Sequence, residues 1–132
     1  MIALDWSRWP DFSEREFRCR CGCGRADMDP GFMDKIQALR TALGFPLPVS
    51  SGFRCPEHNA RVSTTGAAGP HTTGRAADVS VTGERVLHLV SVASKIFSGL
   101  GVSQKGNPPS RFIHLDDLTA ADGFPRPHLW SY

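Results

Sequence analysis

His71-Thr72-Thr73-Gly74-Arg75-Ala76-Ala77-Asp78-Val79-Ser80-Val81 carries the chain out of a loop and into a strand. The loop is the end of a stretch, residues 63–75, that is rich in serine, threonine and glycine and has no periodicity. Asp78-Val79-Ser80-Val81 then alternates, which predicts a strand with Asp78 and Ser80 on one face and the valines on the other. Gly74 gives the loop room to turn between His71 and Asp78.

Working outward, Arg111 to Leu115 predicts a second strand whose alternation puts Phe112, His114 and Asp116 on one face and Asp117 on the other. Between the two strands, a helix is expected from about Glu84 to Ser98. Val86, Leu87, Val90, Ala93 and Phe97 form its stripe, and Gly99 ends it. Upstream, Asp29-Pro30 supplies an N-cap and a proline at the first helical position. Phe32, Met33, Ile36, Leu39 and Leu43 follow at helical spacing before Gly44, so residues 30–43 form an amphipathic helix.

Ser13…Glu16 is a capping-box pattern that starts a short helical turn. Pro46 to Ser51 reads as an extended segment or edge strand limited by its prolines, and Pro56 to Val62 as a short helix. Gly106-Asn107-Pro108-Pro109 is a loop, and Phe124 to Tyr132 shows no regular pattern. There are no repeats or low-complexity tracts. The order of elements predicts one α+β domain over residues 1–132, with a small, mostly antiparallel sheet.

Composition narrows the function classes. The 132 residues are 40% hydrophobic and 21% charged, and 15 basic against 13 acidic side chains leave a net charge of +2. That balance, without any Lys/Arg-rich run, excludes a nucleic-acid binder. No apolar run approaches the roughly 18 residues of a membrane span. Met1 to Phe12 carries Asp5, Arg8 and Pro10 and so lacks the apolar core of a secretory signal. A soluble chain made in the cytoplasm, acting as a monomer, is expected.

The chemistry-bearing residues are His71, Asp78 and His114. Two imidazoles and a carboxylate suit zinc, whose catalytic sites offer three protein ligands and leave one position open. The spacing by itself has no metal-specific mechanism, and His58, His88 and His128 compete as ligands. His88 lies inside the expected helix beside Leu87 and Leu89 and reads as structural, while His58 and His128 stay open.

Three stretches together resemble the zinc D-alanyl-D-alanine carboxypeptidase and peptidoglycan-peptidase family, which includes many phage endolysin domains. They are Phe12-Ser13…Glu16-Phe17 with Cys19-Arg20-Cys21-Gly22-Cys23-Gly24; Ser51-Gly52-Phe53-Arg54-Cys55-Pro56-Glu57-His58-Asn59 running into His71…Gly74…Ala76…Asp78; and Phe112-Ile113-His114-Leu115-Asp116 with Trp130-Ser131-Tyr132. The resemblance implies the fold shared with the hedgehog signalling domain, a small antiparallel sheet with helices packed on its outer side. It implies His71, Asp78 and His114 as ligands of Zn2+, and Arg54 as the residue that pairs with a substrate carboxylate, which a planar guanidinium binds bidentately.

Many relatives carry an acid three residues before the last histidine ligand, where this chain has Arg111, and a serine two before the first, where it has Gly69. Asp116, on the face of His114, is therefore the candidate general base. Its alternative role is to accept an imidazole N–H and fix the ligand's tautomer.

Cys19, Cys21 and Cys23 alternate, with Cys55 far along the chain. Their spacing lacks the two to four residues usual between zinc thiolates. Packing, or one labile bridge from Cys55 to one of the three, is expected ahead of a second metal.

The function implied is a zinc metallopeptidase acting on peptidoglycan peptides, as a carboxypeptidase or an endopeptidase, on the cell wall after release in a phage or prophage setting. The alternatives are a non-catalytic, zinc-containing module that binds wall peptide, and a peptidase of a non-wall peptide.

Overall fold

The computed structural model describes residues 3–132; Met1 and Ile2, the first two residues of the expected 1–132 domain, lie outside it. Among these residues four α-helices, α1 Glu14–Phe17, α2 Pro30–Leu43, α3 Pro56–Val62 and α4 Glu84–Ala93, accompany five strands. The strands are β1 Val49–Ser51, β2 Ala76–Val79, β3 Gly99–Ser103, β4 Phe112–Asp116 and β5 His128–Ser131. They form one sheet in the order β1-β2-β4-β3-β5, antiparallel except for the β3–β5 pair. The expected α+β class with a mostly antiparallel sheet is the one found.

Local chemistry explains the helix ends. The Asp29 carboxylate accepts the Phe32 N–H and Pro30 opens α2, while Gly44 closes it in the left-handed conformation. Ser13 and Glu16 cap α1 reciprocally, as their spacing predicts. The stripe Phe32, Met33, Ile36, Leu39 and Leu43 is buried.

That stripe packs into one core with Leu89, Ala93 and Phe97, and with Ala77, Val79, Leu100, Ile113 and Leu115 from one face of the sheet. A second aromatic group, Trp6, Trp9, Phe12 and Phe17, fastens the N-terminal segment onto the same core.

Several elements differ from their expected form. Strand β2 runs over Ala76–Val79, so Ser80 falls past its end, although Ala76 and Asp78 do share the polar face. Helix α4 stops at Ala93, and Phe97 reaches the core from turns beyond it, against Phe32 at 5.7 Å. Its stripe passes through Leu89 and Ala93 with Val86 and Val90 half-buried, whereas Leu87 faces solvent. Gly99, expected as a helix terminator, begins a strand, and the irregular tail contains β5.

Among the described residues, no helix is long and apolar enough to cross a membrane.

Candidate metal centre

Sheet register brings the site together. Asp78 on β2 lies directly opposite His114 on β4, and His114 lies opposite Gly101 on β3, which pairs in turn with Trp130 on β5. Paired residues share a face. One face of the sheet therefore feeds the core, and the other carries Asp78, His114, Asp116 and Trp130. His71 comes to this face from a 3-10 turn, Pro70–Thr73, that ends in the left-handed Gly74. Gly74 does more than turn: its carbonyl accepts the Asp29 N–H, and any Cβ there would strike the Asp27 carbonyl.

The three expected ligands converge. One donor atom each from His71, Asp78 and His114 lies within 4.8 Å of the others, and all three side chains are buried. His114 Nδ1 is 3.0 Å and His71 Nε2 3.3 Å from the same oxygen, Asp78 Oδ1. His71 Nδ1 donates to the Gly52 carbonyl at 2.8 Å, which fixes its proton there and turns Nε2 toward Asp78.

Asp116 stands behind His114, with Oδ2 2.7 Å from Nε2, the nitrogen remote from Asp78. Arg126 donates to both Asp116 oxygens, at 2.9 and 2.7 Å, and the Leu118 N–H adds a third donor. This carboxylate is 0% exposed. With every oxygen engaged and the His114 ring between it and the cleft, its geometry is that of a group that orients an imidazole.

Electrostatics follow from this chain of contacts. Burial works to raise the Asp78 carboxyl, but the His71 charge and the His114 hydrogen bond outweigh it and hold the group below the usual range. Asp116 is held low in the same way, burial being outweighed by hydrogen bonds from His114 and Arg126. Burial works to lower the His114 imidazole, and the hydrogen bonds to Asp116 and Asp78 overcome it and raise it.

Arg54 sits between β1 and α3, at the side of Asp78. Its Nε donates to Ser51 Oγ and its Nη1 to Asn59 Oδ1, both at 3.1 Å, and Nη2 lies 3.7 Å from Asp78 Oδ2. Asn59 is fully buried and also donates to Thr65 Oγ1, so it ties Arg54 to the loop that walls the cleft.

The cleft above these residues measures about 520 Å³. Among its described lining residues Asp78 is the only carboxylate, and His128 is the one imidazole besides His71 and His114. His128 stacks on Trp130 at 5.3 Å and 20°. Asp117, as its alternation predicts, points the other way and is held by Arg75 at 2.9 Å and Lys35 at 2.8 Å. Arg111 donates to the Gly106 carbonyl and does not line the cleft. His58 also lies outside the lining, and His88 is exposed against Phe45 rather than packed inside its helix.

Sequence reasoning missed Asn59, Arg126 and Trp130 as parts of the site. Asn59 had a signal, since it stands beside Arg54 in a stretch that carries the resemblance. Trp130 had the same signal, since Trp130-Ser131-Tyr132 belongs to the third such stretch, whereas Arg126 had none, because the tail around it has no pattern. Gly99 and Gly101 on β3 make room for both. A Cβ at Gly101 would come within 2.6 Å of the Trp130 indole, and one at Gly99 would strike Asp116 and Arg126.

Compared with curated proteins, the sequence matches none. A profile of the family described as peptidase M15 matches residues 10–116, a span that holds Arg54, His71, Asp78, His114 and Asp116. The chain therefore belongs to the peptidase M15 family of metallopeptidases, and its substrate is a peptide.

Proposed function

We propose that this chain is a zinc metallopeptidase that hydrolyses peptide bonds of bacterial cell-wall peptidoglycan, as a D,D-carboxypeptidase or an endopeptidase of the phage-lysis kind. The observation that carries the reading is the convergence of His71, Asp78 and His114 at the floor of an open cleft in a peptidase M15 chain. The residues fit the ion. Two imidazoles and one carboxylate are a donor set that zinc accepts, and three ligands below a cleft leave room for substrate. A zinc ion held there would supply a Lewis acid that polarises the scissile carbonyl.

The chain's own residues do the rest. Gly52 and Asp116 hold the two imidazoles by their remote nitrogens, so Asp78, His71 Nε2 and His114 Nδ1 face one point. Asp116 is a positioning residue in this reading, not the general base expected from its strand position. Proton transfer falls instead to His128, whose ring lines the same cleft and reaches solvent. Arg54 offers its guanidinium to a carboxylate of the peptide. A terminal carboxylate there makes the enzyme a carboxypeptidase, and a side-chain carboxylate makes it an endopeptidase.

A second reading keeps the metal but not the cutting: a module that binds wall peptide. What favours it is the lack of any free carboxylate among the described cleft residues. One experiment separates the two. Murein sacculi are incubated with the protein, with chelator and with zinc restored, and new amino groups are read by mass spectrometry. The enzyme reading expects chelator-sensitive release that zinc restores. Retained binding with no release at saturating zinc selects the module, and release of no wall fragment but hydrolysis of free dipeptides selects a non-wall peptidase.

A further inference from the structure

Away from the cleft, the structure gathers four thiols that the site does not use. Cys19, Cys21, Cys23 and Cys55 place their sulfurs within 4.8 Å of one another, and all four are free. Cys19 lies 3.4 Å from Cys21 and 3.7 Å from Cys55, and Cys21 lies 3.7 Å from Cys55. These three separations are nearly equal. A disulfide would single out one pair at about 2 Å. A zinc ion with Zn–S bonds of about 2.3 Å in a tetrahedron demands sulfurs about 3.8 Å apart.

The alternating spacing, which argues against a metal when read along the sequence, is overcome by the backbone. The chain turns over residues 20–23, Gly22 is left-handed at φ 90°, and the Cys19 N–H closes the loop onto the Arg25 carbonyl at 2.8 Å. Three sulfurs two residues apart are thereby curled onto one side, and Cys55 meets them from the first residue before α3. The Cys55 N–H donates to Cys19 Sγ at 3.3 Å, a bond that suits a sulfur carrying thiolate charge.

We propose that Cys19, Cys21, Cys23 and Cys55 form a second metal site, a closed four-thiolate zinc that is structural. Four sulfur donors leave no open position, which separates this site from one that handles substrate. It clamps the N-terminal segment to the loop that carries Arg54. The Phe53 N–H already donates to the Phe17 carbonyl at 3.0 Å within that junction, and Gly52 packs so closely on Phe17 that a Cβ would lie 2.6 Å from its Cα. The metal thus holds the frame from which Arg54 and the Gly52 carbonyl reach the cleft.

The test uses the full chain purified without chelator, and the variant His71→Ala to remove the other site. Wild type is expected to carry about two zinc equivalents and His71→Ala about one, released by a mercurial in step with thiol modification. Cobalt in place of zinc should give thiolate-to-metal charge-transfer absorption in both proteins. Cys21→Ser and Cys23→Ser, at exposed positions, should each lose that absorption while keeping the metal bound by His71, Asp78 and His114. A His71→Ala protein that binds no metal while four thiols react freely would overturn the proposal. So would a mass two hydrogens below the reduced chain, which marks a disulfide. Neither result bears on whether the cleft hydrolyses peptides, which the sacculus assay reads separately.

Discussion

Among the described residues, two clusters of side chains could hold a metal ion, and they are built in opposite ways. His71, Asp78 and His114 rest on paired strands and one tight turn, are buried, and open onto a cleft. The four cysteines rest on a glycine-bearing loop and the start of a short helix, with Cys21 and Cys23 exposed and none of the four lining the cleft above His71, Asp78 and His114. Three mixed donors with an open side suit a site that binds substrate; four sulfurs that close on one another suit a brace. The contrast teaches that donor type and what lies above the donors, rather than proximity alone, separate chemistry from support.

Removing one side chain of the cleft triad is expected to separate the two clusters most clearly. His71→Ala is expected to lower peptidase activity to that of the metal-free protein while the thiolate-cobalt absorption survives. Loss of the cobalt absorption in that variant, with the four thiols reacting freely, would overturn the four-thiolate site.

Asp116→Asn comes next. Groups that orient a metal-bound imidazole are worth roughly 10–100-fold in affinity or activity, and here the change also weakens a buried pair with Arg126. The expected result is weaker zinc binding at the cleft, read by chelator competition. Full zinc occupancy with vanished turnover would instead make Asp116 the general base.

The same variant has a pH signature. His114 is raised above its usual range, with the Asp116 hydrogen bond the largest of the raising contacts. Zinc needs the neutral imidazole, so protons compete and affinity falls as pH falls. Removing the Asp116 charge lowers the His114 pKa and should move that fall to lower pH.

Arg54→Lys keeps the charge but loses the planar fork. A charge-assisted hydrogen bond is worth about 1.5–3 kcal/mol, so kcat/KM should drop roughly tenfold or more, mainly through KM, with metal content unchanged.

The smallest effect is expected from Gly101→Ala. Its new methyl presses on the Trp130 indole, which overpacking puts at about 1–3 kcal/mol of stability, seen as a lowered Tm.

Much of this was legible in the residues. Helix α2 announced itself because its cap, its first-turn proline and its stripe all agree. The polar faces of β2 and β4 followed from alternation, and with them the convergence of Asp78 and His114. Strand β3 was hidden because Gly99-Leu100-Gly101 lacks the branched side chains that mark strands; its glycines serve Trp130 and Arg126, which sequence spacing does not reveal. Strand β5 was hidden because parallel pairing with a distant segment leaves no local pattern. The tail therefore gave no sign that Arg126 neutralises Asp116. The gathering of the four thiols was illegible for a related reason: separation along the chain does not give distance, and the turn at Gly22 brings Cys19, Cys21 and Cys23 together beside Cys55.

The most direct test of the central claim is to strip the protein of metal, reload it with zinc in steps, and follow release of fragments from a defined stem-peptide muropeptide. Activity is expected to rise with the zinc held by His71, Asp78 and His114, and to stay absent in His71→Ala at every loading. Fragment release that survives complete metal removal, or that His71→Ala retains, would contradict the account.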